Sequence, residues 1–190
     1  MSFGGAFATT HAAMPSDLDL QRLRAAIRDV PDFPKPGIIF KEITPVLADG
    51  ALFKLAIDFF VEACRPLGIE KVVGIDARGF LFGAAVAYEM GVGFAPVRKK
   101  GKLPYMCQSA AYTLEYGEAV VEMHTDALRP GERVVLIDDL LATGGTAAAA
   151  IKLIEKMGGK LLEAQFLIEL QFLHGRQNLP SCAVRSFLAF

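Results

Sequence analysis

Val134-Val135-Leu136-Ile137-Asp138-Asp139-Leu140-Leu141-Ala142-Thr143-Gly144-Gly145-Thr146 holds the densest chemistry of the chain. Four apolar residues, too few for a helix, precede two carboxylates, a loop of small residues and a helical run over 147–157: strand, turn, helix. In open α/β sheets ligands bind outside the carboxyl ends of the strands, and this turn lies at such an end. Thr143, Gly144, Gly145 and Thr146 let a phosphate approach backbone N–H groups at a helix N-terminus, where the dipole also favours an anion. Asp138 and Asp139 would repel that phosphate, so their acceptors suit sugar hydroxyls or a divalent cation. The ligand implied is a sugar phosphate rather than a polyphosphate held by lysine.

A second strand-to-helix turn, residues 72–80, carries Ala77 and Arg78, whose backbone and charge suit a pyrophosphate. The opposing reading is a structural turn in which Arg78 pairs with Asp76. Gly74 and Gly79 have P-loop spacing, but Phe80 stands where lysine is required, and Gly91-Val92-Gly93 lacks the third glycine of a dinucleotide fingerprint. Arg98, Lys99, Lys100 and Lys102 place four cations in five residues, either a solvated loop or a clamp for a departing polyanion. The proline-stiffened segment 32–41 bears Phe33 and Phe40, which serve equally well as a packed crossover or as a stacking face for a flat heterocycle. Glu115 alone reads as a solvent-facing hairpin residue. His11, His124 and His174 have no metal-ligand spacing and suit surface or capping positions.

These residues need elements to hold them. Apolar periodicity predicts helices over 18–30, 52–63, 79–89 and 143–157, and strands over 71–75, 94–97, 133–137, 162–168 and 183–188. Strands alternating with helices give an α/β fold with a doubly wound, mostly parallel sheet. The interval 101–124 breaks the rhythm with two short alternating runs around 115–117, an antiparallel insertion of the kind that serves as a lid. One domain is expected over 18–190, with a small hood at 31–47 and the lid at 101–124, after a flexible tail at 1–17.

At 190 residues the chain has enough interior for a sizeable core. A net charge of −1 supplies no global field toward nucleic acid or a membrane. Residues 1–16 have neither the basic start of a signal peptide nor a long apolar core, and no apolar run approaches the roughly 20 residues that span a bilayer. Cys64, Cys107 and Cys182 are odd in number and widely spaced, as expected of reduced thiols in the cytoplasm.

The acid pair followed by Ala-Thr-Gly-Gly-Thr resembles the phosphate loop of type I phosphoribosyltransferases. Within them, the segments 27–34, 37–41, 74–83, 91–94, 98–104, Leu114-Glu115-Tyr116-Gly117 and 173–176 resemble the adenine phosphoribosyltransferases. The resemblance implies the type I phosphoribosyltransferase fold and, with Mg²⁺, the reaction of adenine and phosphoribosyl pyrophosphate to AMP and pyrophosphate. By it, Ala142, Thr143, Gly144, Gly145 and Thr146 hold the 5′-phosphate, while Asp138 and Asp139 face the ribose hydroxyls. Ala77, Arg78 and Lys102 lie near pyrophosphate, Phe40 stacks on the base, and the backbone of Ile39 and Lys41 reads the base edge. Glu115 handles the N7 proton. A homodimer is implied, in which Arg98 reaches the neighbour's pyrophosphate. The metal is carried mainly by the substrate's pyrophosphate and ribose, without a set of protein ligands. Two positions depart from the family pattern: Glu42 replaces Asp, and residues 104–108 replace a glycine and polar run, giving a stiffer lid tip. The same fold acting on a 6-oxopurine is one alternative. A non-catalytic regulator sensing purines or phosphoribosyl pyrophosphate is another, opposed by the lack of room before residue 18 for a DNA-binding domain.

Overall fold

The computed structural model describes residues 16–114 and 117–190, without the side chains of 113–118. Helix α1, Asp17–Ala26, opens on a capping box. The Ser16 hydroxyl accepts from the Asp19 N–H, and the Asp19 carboxylate accepts from the Ser16 N–H. The helix stops four residues short of its apolar periodicity. Ile27 turns extended, at φ −73° and ψ 123°, and the chain continues as strand β1, Arg28–Pro31. It pairs antiparallel with β2, Ile39–Glu42, setting Asp29 against Lys41 and Val30 against Phe40. Apolar residues at 27 and 30 satisfy a helical period, but pairing with β2 decides the conformation.

Next come α2, Thr44–Ala48, and α3, Gly50–Cys64, which Asp49 caps by accepting from the N–H groups of Ala51 and Leu52. The main sheet then forms from β3, Lys71–Ile75, and, after helix α4, Gly79–Met90, from β4, Gly93–Lys99. The hairpin β5, Cys107–Leu114, and β6, Gly117–His124, precedes β7, Arg133–Leu141. Helix α5, Gly145–Lys156, leads to β8, Lys160–Glu169, and finally β9, Val184–Ala189. The strand order is β5-β6-β4-β3-β7-β8-β9. Pairing is parallel from β4 to β9 and antiparallel where β6 joins β4 and β5.

Helices cover both faces, as a parallel sheet buried on two sides requires. On one face α3 and α4 bury Phe60, Val61, Phe82 and Val86 against Val72, Val135 and Ile137. On the other, α5 buries Ile151, Leu153 and Ile154 against Val73, Leu136 and Phe166. The expected α/β architecture, a doubly wound and mostly parallel sheet, is therefore present. The hairpin, packed on the α5 side through Val121 and Met123, is the antiparallel insertion that residues 101–124 announced. No helix among the described residues is long and apolar enough to cross a membrane.

Candidate active site

Strand β7 extends to Leu141, so the acid pair sits inside its last turn of pleat rather than beyond its end. Asp139 is buried at 4% exposure, and Asp138 is half-buried. The loop that follows encloses a cavity of about 80 Å³ lined by Asp138, Ala142, Thr143, Gly144, Gly145 and Thr146 among others. Gly144 adopts φ +83° and no side chain caps α5. The first N–H groups of the helix therefore have no intrahelical acceptor, an arrangement suited to an anion. Two residues beyond the motif support this loop. Gly175 packs so closely beneath it that a Cβ there would overlap the Ala142 carbonyl, and one on Gly144 would overlap the Gly175 carbonyl. Asn178 donates its amide N–H to the Thr143 carbonyl at 2.8 Å. The only sequence signal for Gly175 was the family-like string at 173–176; Asn178 left none.

The neighbouring parallel strand β3 brings the second turn alongside, with a cis peptide between Asp76 and Ala77. Ala77 and Lys102 are exposed, and Arg78 is half-buried. Arg78 does not pair with Asp76. Its Nε lies 2.9 Å from Asp139 Oδ2, while Asp76 takes Arg98 at 3.0 Å. The Arg78 N–H is not aligned on that oxygen, so Asp139 Oδ2 is charge-balanced yet has no hydrogen-bond partner among the described residues. Burial first, then the neighbouring Asp139, pushes the Asp138 carboxyl well above the ordinary carboxylate range. Burial also raises Asp139, against the opposing pull of Arg78. Gly74 and Gly79, whose spacing mimics a P-loop, have a packing role instead. A Cβ on Gly79 would come within 2.7 Å of Asp138 Oδ1, and one on Gly74 within 2.6 Å of the Phe94 ring.

Across the site stands the two-stranded sheet. The guanidinium of Arg78 lies 5.3 Å over the Phe40 ring, whose other contact is the edge of Phe33 at 5.2 Å. A cation resting on Phe40 shows that this ring faces the charged site. Ile39 and Lys41, on the opposite face of β2, line a cleft of about 510 Å³ together with Thr143, Leu170, Phe172, Leu173 and Phe190. Thr143 also lines the smaller cavity of about 80 Å³, so the two spaces share a wall. Leu170, Phe172 and Phe190 follow or end strands without periodicity, and sequence reasoning did not find them, whereas Leu173 belongs to the family-like string at 173–176.

The cationic run is split. Arg98 also donates to the Lys102 carbonyl at 3.1 Å, whereas Lys99, Lys100 and Lys102 are exposed. Beneath them, Glu122 accepts from the Gly101 N–H at 2.9 Å and the Ser109 hydroxyl at 3.3 Å, rooting the hairpin. Glu115 and His11 lie outside the described residues. His174 caps a short 3-10 turn at φ +51°, as a capping residue should. His124 differs from expectation: its Nε2 is buried and unpartnered, with the ring 6.0 Å from Tyr105. Among the described residues no three His, Cys, Asp or Glu side chains converge as metal ligands. Cys64, Cys107 and Cys182 are free thiols.

The family described as phosphoribosyl transferase domain matches residues 51–180. The adenine phosphoribosyltransferase of Acidothermus cellulolyticus is 53% identical over 174 residues, covering 92% of this chain and 98% of that protein. That of Nitrosococcus oceani is 52% identical over 171 residues, covering 90% and 100%. Among solved structures, adenine phosphoribosyltransferase from Rhodothermus marinus matches at a TM-score of 0.88 and 50% identity, covering 92% of this chain and all of that one. The Saccharomyces cerevisiae enzyme, solved with an imino-altritol bisphosphate and adenine, matches at 0.86 and 42%, covering 90% and 98%. With the small-residue loop, the acid pair and the aromatic face brought together at the carboxyl ends of β3 and β7, these likenesses are decisive: the chain belongs to the adenine phosphoribosyltransferase family of phosphoribosyltransferases.

Proposed function

We infer that the chain transfers the 5-phosphoribosyl group of phosphoribosyl pyrophosphate to adenine, giving AMP and pyrophosphate, a purine-salvage reaction. One observation carries this reading beyond family membership. A loop leading into an uncapped helix N-terminus adjoins an acid pair of one half-buried and one buried carboxylate, and both lie across from an aromatic ring already bearing a cation. A 5′-phosphate, a ribose and a base need these three surfaces in this order.

In the proposed mechanism, residues 142–146 bind the 5′-phosphate, and Asp138 and Asp139 orient the ribose 2′- and 3′-hydroxyls. The C1′–oxygen bond to pyrophosphate breaks with its electron pair leaving on the pyrophosphate, and a base nitrogen bonds to C1′. The imidazole proton of adenine passes to Glu115, the carboxylate assigned to it by family resemblance. Positive charge grows on the ribose ring and negative charge on the leaving group, so Arg78, the Ala77 amide and Lys102 stabilise the departing pyrophosphate. Asp139 keeps Arg78 over this position through the 2.9 Å ion pair. Phe40 stacks on the base while the Ile39 and Lys41 backbone reads its edge. Closing the 101–124 hairpin excludes water, which would otherwise trap the ribosyl centre.

Mg²⁺ carried in by the substrate, with Asp138 and Asp139 the nearest carboxylates, would supply positive charge to neutralise the leaving group. The donor set suits an ion carried this way. Asp138 offers one half-buried carboxylate, Asp139 is already ion-paired with Arg78 through one oxygen, and neither alone makes a coordination sphere. The working form is proposed to be a cytoplasmic homodimer. The test is AMP formation from adenine, phosphoribosyl pyrophosphate and Mg²⁺, run beside hypoxanthine, guanine and xanthine. Turnover confined to adenine is expected. Preferential turnover of a 6-oxopurine overturns the base assignment, and tight phosphoribosyl pyrophosphate binding without turnover points to a regulator.

A further inference from the structure

The sheet β1–β2 that carries Ile39, Phe40 and Lys41 shares no strand pairing with the main sheet. Something must therefore fix its distance from the phosphate loop, and the side chains single out one residue. The Phe190 ring lies under two cations at once, with Lys41 Nζ and the Arg24 guanidinium each 4.3 Å from its centroid. Lys41 is held in that pose by a second contact, a 2.6 Å ion pair with Asp29 on β1, and only 14% of its side chain is exposed. Arg24 in turn donates to the Ala189 carbonyl.

Phe190 is itself anchored to the main sheet on both sides of its peptide unit. Its N–H donates to the Glu169 carbonyl, and its carbonyl accepts from the Gln171 N–H, each at 2.9 Å. Glu169 is fixed by the Arg176 guanidinium, with contacts of 2.7 to 2.9 Å. A rigid path therefore runs from β8 through Phe190 to the Lys41 side chain. The same ring lines the cleft beside Ile39 and Leu170.

We propose that Phe190 is a positioning residue for the base: its ring grips the Lys41 stem and cation and so sets the height of the β2 backbone over the site. This rests on the reading that the β2 backbone meets the base edge. The cation–ring contact is what aligns Lys41. An apolar replacement that fills the space without a π face should therefore let β2 drift while leaving the phosphate loop in place.

The experiment is steady-state kinetics on the full chain, with KM for adenine, KM for phosphoribosyl pyrophosphate and kcat measured separately. Phe190→Leu should raise KM for adenine about fivefold, the size of one partly buried cation–π contact, with kcat and KM for phosphoribosyl pyrophosphate unchanged. Phe190→Trp should restore it. Combining Phe190→Leu with Lys41→Met should add nothing to Lys41→Met alone. Equal loss in all three constants, failure of Trp to rescue where Leu impairs, additivity of the pair, or no effect of Phe190→Leu overturns the proposal. Phe40→Ala separates the two layers of the argument. If it leaves KM for adenine unmoved, the base-site reading has failed. If it raises KM while Phe190→Leu does not, the positioning role alone has failed.

Discussion

At the scale of single residues, Asp138 and Asp139 hold the site's largest tension. Two carboxylates share one strand end with a single guanidinium; burial raises both carboxyls, the neighbouring Asp139 charge adds to it at Asp138, and Arg78 opposes it at Asp139. An acid whose pKa rises on folding binds its proton more tightly in the folded chain. Stability therefore falls as pH climbs from the unfolded value of about 3.9 through the raised one. Asp138→Asn keeps an acceptor for the Asp139 N–H, now 2.9 Å away, and removes one charge. At pH 8 it should raise Tm by a few degrees, equivalent to about 1 kcal/mol in a chain of this size, and the gain should vanish near pH 4. Its AMP formation should fall at least tenfold, the loss of a charge-assisted hydrogen bond to ribose. Scanning calorimetry across pH checks the first half; a Tm gain independent of pH would show that charge relief is not its source. The acid pair was legible in the sequence, but its partner was not. The only carboxylate the sequence offered Arg78 was Asp76, two positions away, in the opposing structural-turn reading. Only the pairing of β3 with β7, Gly74 opposite Ile137, shows that Asp139 is the nearer carboxylate.

At the scale of elements, the alternation of strands and helices was legible because buried parallel strands and covering helices leave strong apolar patterns. The failures have physical causes. Residues 28–30 continue a helical period yet belong to β1, since a four-residue strand carries too little pattern to compete. Strand β7 runs four residues past its apolar core because pairing with β8 continues to Leu141 opposite Glu169. The small-residue segment 142–146 was read as a loop, though the helix expected from 143 begins only at Gly145, and the shape of this loop depends on a segment some thirty residues later. Gly175 leaves no room for a Cβ between itself and the Ala142 carbonyl. Gly175→Ala must push the loop outward and turn its amides away from the anion. An overpacking strain of about 1–3 kcal/mol should appear as a lower Tm together with a tenfold or greater rise in KM for phosphoribosyl pyrophosphate, with the adenine constant much less affected. Unchanged phosphoribosyl pyrophosphate binding in a destabilised Gly175→Ala would detach the loop from this support.

At the scale of the whole molecule, the open question is where Arg98 acts. Within one chain it is folded back on its own Asp76 and on the Lys102 carbonyl, beside exposed Lys99 and Lys100. A net charge of −1 sets little general repulsion against self-association. If the homodimer proposed above forms, a cyclic pair places the same turn of each copy symmetrically, and Arg98 leaves Asp76 for the pyrophosphate of its neighbour. Light scattering should then give twice the mass of a chain of 20.5 kDa. Mixing two disabled variants decides the direction of the reach. Arg98→Ala and Arg78→Ala should each be nearly inactive alone. Refolded together in equal amounts, they form mixed dimers in which one site has its own Arg78 and receives an intact Arg98 from the other copy. Random pairing makes half of all dimers mixed, with one working site in two, so about a quarter of wild-type activity should return. If Arg98 serves its own chain, every site in the mixture lacks one arginine and no activity returns. The two modes thus differ by the presence or absence of complementation, which a loss of affinity in either single variant cannot imitate.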